Sequence, residues 1–372
     1  MKLGTSSWMV LITLLILTTV RWWDPTPVQR LRLLNFDGYQ ALLEKTTSDK
    51  IVLYDIGEEF LKEHGQWPPK RTVFAQLTAD LYNSGARLVV FNILFAEEDR
   101  LGGDDDFVSV LQQVPVVGTQ VASTRAIDTV ATPRGLSFSG DPRPWLYTYP
   151  GAVSNIKPIA DALAGIGMVS TVPEVDGVVR RYPLFVRVGE KTIYPSLPIE
   201  VLRVLVGSKS AQIKTGPAGI IKVRVRGFPI VETDPHARIW IDFSTEIPRN
   251  VDVTGKVVIV GLTAEGLTQT VPTPFGAVDI HEFNAKTLHT IMSGTSIKRW
   301  DIANQLEVLD FFLFGLILIV LVPRLGMKWT LPIVLFLFST GAWSAVYAFN
   351  HHKILFDLSY PLLGGLLLYV QL

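Results

Sequence analysis

Apolar runs at both ends of the chain constrain its fold more than any other feature of the sequence. Residues 8–23 are almost entirely apolar, and tryptophans bracket them. At the other end, three apolar runs follow one another with short gaps, over residues 308–322, 329–349 and 354–372. A helix needs roughly 20 apolar residues to cross a bilayer, and tryptophan favours the two interfacial layers. The runs therefore predict about four transmembrane helices, one before and about three after a large central segment.

The N-terminal run has two interpretations, an uncleaved membrane anchor or a signal peptide that is removed. A signal peptide ends in a small-x-small cleavage pattern. Here Arg21, Trp22 and Trp23 occupy that place instead. We therefore expect residues 1–23 to form an uncleaved transmembrane anchor.

The basic residues near the apolar runs predict the orientation of these helices. Arg324 and Lys328 lie between the first two C-terminal runs, and the positive-inside rule places such a loop in the cytoplasm. The next gap contains Lys353, which argues mildly for the opposite orientation. With the first gap inside, both termini are cytoplasmic. Residues 308–372 then form three transmembrane helices, and residues 24–305 form one extracytoplasmic domain.

The composition argues against several classes of function. Lys plus Arg and Asp plus Glu number 34 each, so the charge balance gives no reason to expect a nucleic acid partner. The chain has no cysteine, which excludes disulfides, thiolate metal sites and a cysteine nucleophile. The sequence contains no P-loop and no G-x-S-x-G elbow. We therefore expect no catalytic residues, no enzyme activity, no metal and no cofactor in this chain.

Two segments look like chemical motifs but lack the required spacing. Residues 101–107 read LGGDDDF, in which an extra aspartate breaks the GGDEF pattern of diguanylate cyclases. These residues suit a surface loop that caps the following helix. His281 and Glu282 begin an H-E-x-x-H zinc pattern, but Ala285 stands where the second histidine is needed. His289 is placed to share a helical face with His281, yet the pattern offers no third ligand.

The first part of the central segment alternates strand and helix patterns. Apolar runs at residues 50–55, 86–92 and 114–118 predict buried strands. Segments with helical spacing, at residues 68–85 and 105–113, separate these strands. This β-α-β-α-β order predicts a parallel sheet with right-handed crossovers.

The second part of the central segment adds a hairpin, a strand and helices. Asp176-Gly177 predicts a two-residue hairpin turn between flanking strands. Residues 195–206 and 279–292 predict helices with one apolar face. Residues 256–261 predict a last buried strand. The predicted fold class is therefore mixed α/β, with a largely parallel sheet and flanking helices.

Several predicted strands end in residues that suit a binding site. Asp55, Asn92, Gly118 and Gly261 stand at these ends. In a parallel sheet such positions gather at the carboxyl edge, where the ligand crevices of open α/β sheets form. Residues 268–276 are long enough to cover this edge as a lid.

Trp67 and Arg71 follow Asp55 closely enough in sequence to reach the same edge. Arg71 either recognises an anionic ligand or forms an ion pair with Asp55, and the sequence leaves both interpretations open. The candidate ligand-binding residues are Asp55, Trp67, Arg71, Asn92 and Gly261.

Four segments together resemble the CHASE2 family, which comprises extracytoplasmic sensor domains of bacterial signalling proteins. They are VLYDIGEEFLKEHGQWPPKR, GARLVVFNILFAEED, DGVVRRYPLF and KVVIVGLTAEGLTQTVPTPFGAVDIHEFNAKTLHTIMSG. The resemblance covers nearly all of residues 24–295, and the family typically has the same order of one helix before the domain and three after it. The chain departs from the family at Asn92, usually an aspartate, and at Pro69, usually a second tryptophan.

The resemblance implies a transmembrane sensor that detects an extracytoplasmic cue of unknown identity. It implies a multi-pass protein of the inner membrane with its large domain in the periplasm, and sensors of this layout generally need to form homodimers. Family members usually continue into a cytoplasmic cyclase, kinase or phosphatase, whereas this sequence ends at Leu372. Either the sequence is a fragment, or the signal passes to a separate cytoplasmic effector.

Two alternatives come from other functional classes. The chain could be an envelope interaction or scaffold protein that binds no small molecule. It could also be an extracytoplasmic enzyme, although no nucleophile-base spacing supports that interpretation.

Overall fold

The computed structural model describes residues 5–129, 131–133, 135–300 and 302–372. The chain divides into two compact units. The helical unit combines Met1–Glu44 with Ile297–Leu372, and the central unit is Lys45–Ser296.

Helices make up most of the helical unit and flank the strands of the central unit. In chain order, the α-helices of the described residues are α1 Thr5–Trp23, α2 Thr26–Ala41, α3 Glu58–His64, α4 Arg71–Asn83, α5 Asp104–Leu111, α6 Lys157–Ala162, α7 Leu197–Leu205, α8 Ile280–Ser293, α9 Ala303–Leu325, α10 Met327–His352 and α11 Ser359–Gln371.

The strands all belong to the central unit. In chain order, those of the described residues are β1 Thr46–Thr47, β2 Ile51–Ile56, β3 Leu88–Phe91, β4 Val116–Ser123, β5 Asp128–Thr129, β6 Leu136–Ser139, β7 Thr148–Tyr149, β8 Gly151–Val153, β9 Gly165–Val169, β10 Arg181–Pro183, β11 Phe185–Val188, β12 Thr192–Pro195, β13 Ala211–Gly216, β14 Gly219–Val225, β15 Val231–Glu232, β16 Arg238–Trp240, β17 Thr245–Glu246, β18 Val257–Leu262, β19 Thr270–Thr273 and β20 Gly276–Asp279.

Two helices of the helical unit are long and apolar enough to cross a membrane. They are α9 and the Lys328–His352 part of α10. The apolar part of α1, Trp8–Trp23, is shorter, and α11 has 13 residues. Among the described residues, two rather than the predicted four or so helices therefore meet this criterion. The third C-terminal run falls short because Ile354 pairs with Lys298 in a β-bridge and the helix begins only at Ser359.

A buried charged cluster lies where α1, α9 and the segment before α11 meet. The Arg21 side chain is fully buried and forms an ion pair with Glu307. It also lies 3.2 Å from Asp24 and 3.8 Å from Asp357. Arg299 contacts the same Glu307 carboxylate at 2.8 Å, and the Asp357 backbone N–H donates to Glu307 Oε1 at 2.9 Å. Ion pairs therefore connect α1 with α9 and with the segment before α11.

A parallel sheet forms the centre of the central unit. Its strands lie in the order β2-β18-β3-β4, all parallel, and β9 pairs parallel with β4. The predicted β-α-β-α-β order over residues 50–118 is confirmed, with β18 from late in the sequence inserted between β2 and β3. Antiparallel pairs such as β13 with β14 make the fold mixed α/β.

Side chains of the central strands alternate between two cores, one on each face of the sheet. In β2, Ile51 and Leu53 enter the core that α7 and α8 cover, whereas Val52 and Ile56 enter the core beside α4 and α5. Because helices cover both faces, these strands read as continuous apolar runs in the sequence. The second core contains phenylalanines whose ring centroids lie 5.1 to 6.3 Å apart: Phe74, Phe91, Phe95 and Phe107.

The turn predicted at Asp176-Gly177 forms, but the hairpin does not. Gly177 has a φ of 82°, and its N–H donates to the Glu174 carbonyl at 2.9 Å. The strands on either side find other partners, since β9 joins β4 in the main sheet and β10 pairs with β16. Pairing of β9 within the main sheet lets its apolar residues enter the cores, which a local hairpin does not provide.

Candidate functional site

The carboxyl edge of the parallel sheet brings together most of the predicted site positions. Asp55 in β2 is the register partner of Gly261 in β18. Asn92 follows β3 on the other side of β18. Gly118 does not end a strand as predicted, because β4 continues to Ser123 and Gly118 pairs with Ile166 of β9 inside the sheet. Asp55, Asn92 and Gly261 therefore lie at the carboxyl edge of the sheet, as the predicted parallel strand order indicated.

The Asp55 carboxylate is engaged by two protein side chains. Arg249 Nη1 lies 2.9 and 2.8 Å from its two oxygens, and His281 Nε2 lies 2.9 Å from Oδ1. Arg249 also pairs with Glu282 on α8. Burial raises the pKa of the Asp55 carboxyl, but the hydrogen bonds from His281 and Arg249 and the charge of Arg249 outweigh burial, so the net pKa lies below its usual range. Asp55 is thus an ion-paired carboxylate that supports the edge.

Replacing Asp55 with asparagine is expected to reduce the acid sensitivity of the fold. Because the folded-state pKa is depressed, ionised Asp55 stabilises the fold above its unfolded pKa of about 3.9, and this contribution is lost as the pH falls through the folded pKa. Below about pH 4, the melting temperature of the wild type should therefore fall more steeply than that of Asp55→Asn. Circular dichroism of the full chain in detergent measures both curves.

A matched control for this prediction is Asp106→Asn. Asp106 lies exposed in the first turn of α5 and forms no side-chain ion pair with the described residues. Its variant therefore removes one carboxylate without removing an ion pair among the described residues. If Asp55→Asn follows the wild-type curve in acid, the ion-paired role of Asp55 is contradicted.

Gly261 makes room for α8. A Cβ atom at this position would lie 2.1 Å from Cγ and 2.5 Å from Cβ of His281. The His281 side chain is 1 % exposed, so its ring has no solvent-facing alternative. Close packing of helix against strand therefore explains the glycine at the end of β18.

Arg71 does not meet Asp55. Its side chain is buried, and its Nε lies 3.3 Å from Asp104 Oδ1. Its Nη2 donates to the Glu97 carbonyl at 2.9 Å, and the guanidinium lies 4.8 Å from the centroid of the Phe95 ring. The predicted ion pair between Arg71 and Asp55 is therefore wrong, because the chain after β3 folds over the start of α4 and supplies closer partners.

A cavity of about 250 Å³ lies at the carboxyl edge of the sheet. Trp67 and Asn92, two of the predicted site residues, line it. Trp67 packs edge-on against Phe74 with the ring centroids 6.1 Å apart, which orients the indole. Gln269 belongs to the predicted lid of residues 268–276 and also lines the cavity. The remaining lining residues are apolar apart from one threonine: Ile93, Leu94, Thr119, Val121, Val169, Leu262, Leu267 and Ile280.

A relay of hydrogen bonds leads from the core to this cavity. The Tyr182 hydroxyl donates to Asn284 Oδ1 at 2.7 Å. Asn284 Nδ2 donates to Asn92 Oδ1 at 3.0 Å and to the Ile280 carbonyl at 2.9 Å. Tyr182 and Asn284 are both buried. The relay therefore fixes the orientation of the Asn92 amide at the cavity wall.

Three important side chains of this edge, those of Arg249, Tyr182 and Asn284, were not predicted from the sequence. Arg249 reaches Asp55 across 194 positions of the sequence, and Tyr182 reaches Asn284 across 102. No local motif marks such pairs. The one available signal was His281-Glu282, whose polar side chains stand at the start of a helix with an apolar face. Their partners are Asp55 and Arg249, and no zinc pattern is needed to account for them.

Comparison with known proteins agrees with this architecture. The family model of the CHASE2 domain matches residues 10–322 of the 372 residues. Neither a curated protein nor a solved structure matches the chain. The matched region contains the whole central unit, including the sheet edge and its cavity. Because the match spans well over half of the sequence, the chain belongs to the CHASE2 domain family of sensor domains.

Proposed function

We propose that the chain is a transmembrane sensor whose central unit binds a small molecule in the cavity beside Trp67 and Asn92. The observation that carries this proposal is the position of the cavity at the carboxyl edge of a parallel sheet. Open α/β folds bind their ligands at this edge. Membership of a sensor-domain family supports the same role.

The lining of the cavity also supports a small-molecule site. Ligand pockets are mostly apolar and carry a few polar groups that fix orientation. Here Trp67 offers an indole, Asn92 and Gln269 offer amides, and most of the rest is aliphatic. Asp55 and Arg71 are occupied by protein partners, so the proposal keeps Trp67 and Asn92 as ligand contacts.

The order of the chain offers a route for the signal. Ile280 lines the cavity and is the first residue of α8. After α8 the chain continues through residues 294–302 into α9, which is long and apolar enough to span a membrane. A ligand that contacts two states of α8 unequally shifts their populations. The proposal places the central unit in the periplasm and the output, a cyclase, kinase or phosphatase, on the cytoplasmic side of the inner membrane.

Thermal melting of the full chain in detergent tests the binding step. A ligand at about 100 times its Kd stabilises a folded state that alone binds it by about 2.7 kcal/mol, so the melting temperature rises with concentration. We expect such a saturable rise with a small molecule, and we expect Val121→Trp to abolish it. Val121 lines the cavity and is 39 % exposed, so the larger side chain can fill the space without breaking the core.

Val175→Trp provides the matched control. Val175 is 46 % exposed and does not line the cavity, so this variant should keep the wild-type response. If the melting temperature of Val121→Trp still rises as in the wild type, the compound binds outside this cavity. If no compound raises the melting temperature, small-molecule sensing is contradicted, and an envelope interaction protein becomes the better interpretation.

A further inference from the structure

The orientation of the Asn92 amide determines which ligand chemistry the cavity accepts. We infer that the ligand is a neutral carbonyl compound whose oxygen accepts a hydrogen bond from Asn92 Nδ2. This inference rests on the proposed function and adds the chemical class of the ligand.

The Ile280 carbonyl fixes the first amide of the relay. A carbonyl oxygen only accepts hydrogen bonds, so the Asn284 atom 2.9 Å away from it is the amide nitrogen. The other end of the Asn284 amide is therefore the oxygen, and it accepts from the Tyr182 hydroxyl at 2.7 Å. Burial raises the pKa of Tyr182, so this hydroxyl keeps its proton. The hydrogen bonds at the two ends of Asn284 therefore agree on the orientation of its amide.

The second amide follows from the first. Asn284 Nδ2 donates to an atom of Asn92 that lies 3.0 Å away, and that atom must be the oxygen. The Asn92 nitrogen is then the free end of the side chain. Within the part of the chain that the structure describes, no group accepts a hydrogen bond from it. Because Asn92 is half-buried and lines the cavity, its N–H groups are available to a ligand.

The other lining groups select against charge. None of the described residues that line the cavity has an ionisable side chain. The Thr119 hydroxyl already donates to the Ile93 carbonyl at 3.1 Å. An ionised ligand would lose its hydration here without gaining an opposite charge. A neutral ligand with an apolar body and an acceptor oxygen fits these constraints, and the Gln269 amide offers a second, uncharged polar contact.

The size of the cavity limits the ligand further. An apolar cavity of about 150 Å³ binds benzene, and this one measures about 250 Å³. A six-membered ring that carries a carbonyl oxygen is therefore of suitable size. Cyclohexanone and δ-valerolactone are appropriate probes. Methylcyclohexane, cyclohexylamine and cyclohexanecarboxylate have similar size but lack the neutral carbonyl group.

Asn92→Asp is the decisive variant because it keeps the relay and removes the donor. An aspartate oxygen still accepts from Asn284 Nδ2, whereas the remaining oxygen cannot donate and carries charge. We expect the neutral carbonyl probes to raise the melting temperature of the wild-type full chain in detergent. We expect Asn92→Asp to weaken that response about tenfold or more in probe concentration. Asn92→Leu, which also lacks the donor but adds no charge, should weaken it as well.

The outcomes separate this inference from the function on which it rests. A carbonyl-specific response supports both proposals if Val121→Trp abolishes it, Asn92→Asp weakens it about tenfold or more, and Val175→Trp retains it. A response to the hydrocarbon, the amine or the carboxylate that Val121→Trp abolishes but Asn92→Asp leaves unchanged overturns the inference and keeps the sensor. The absence of a response to every probe class overturns the inference and argues against the proposed cavity. Unliganded Asn92→Asp is expected to melt below the wild type, because its carboxylate has no cationic partner among the described lining residues. The response of each variant is therefore measured from its own unliganded melting temperature, and Asn92→Leu separates the loss of the donor from the added charge.

Discussion

Gly261→Ala is expected to destabilise the central unit by about 3 kcal/mol, near the upper end of the usual range for overpacking. The added Cβ would lie 2.1 Å from His281 Cγ and 2.5 Å from His281 Cβ. These atoms are close to the helix backbone, so a side-chain rotation cannot relieve the contact. The whole of α8 would have to move away from the sheet. That movement would break the 2.9 Å hydrogen bond between His281 and Asp55.

Thermal melting of the full chain in detergent measures this effect. A loss of about 3 kcal/mol corresponds to a fall of roughly 10 °C in the melting temperature of a unit of this size. Gly57→Ala is the matched control, because a Cβ there would approach only Thr263 Oγ1, at 3.0 Å, and a side chain can give way. A Gly261→Ala protein that melts together with Gly57→Ala would show that α8 does not pack on β18 as described.

Arg21→Met is expected to destabilise the helical unit by about 3 to 5 kcal/mol. The methionine approximates the length of the arginine but leaves Glu307 and Asp357 without their buried cationic partner. Removing one member of a buried ion pair is costly because the remaining charge loses its compensation. Arg299 stays beside Glu307 at 2.8 Å and compensates part of the loss.

A double-mutant cycle distinguishes this ion pair from a general effect of substitution. Glu307→Leu alone should also destabilise the helical unit, and the double variant should lose less than the sum of the two single losses. Arg30→Met is the control, since Arg30 is exposed on α2 and pairs with no acidic group of the described residues. Additive losses in the cycle, or an equal loss in Arg30→Met, would contradict a role for the charged cluster. Melting in detergent followed by circular dichroism provides all of these values.

The parallel sheet was predictable because its signals are local. Strands covered by helices on both faces need apolar side chains in both directions, so residues 50–55 and 86–92 read as continuous apolar runs. The parallel order then predicts that Asp55, Asn92 and Gly261 lie at one edge, as they do in the structure. Membrane helices were less predictable, since a hydropathy run does not show that the backbone leaves the helix at residues 354–358.

The partners at this edge were not predictable from local patterns. Arg71 was expected to pair with an anionic ligand or with Asp55, and it pairs with Asp104 instead. Asp55 in turn meets Arg249 and His281, which are distant in the sequence. Periodicity reports which face of an element a residue occupies. It does not report which remote side chain reaches that face.

The sequence by itself determined the mixed α/β fold class, the edge where the candidate residues collect and the membership of a sensor family. Only the tertiary structure decided that Asp55 and Arg71 are occupied, that Gly261 accommodates His281, and that the Asn92 amide is left with a free donor. The physical reason is that apolar periodicity involves residues that are neighbours in the sequence. Hydrogen bonds and ion pairs instead depend on distances of about 3 Å between atoms that the fold brings together.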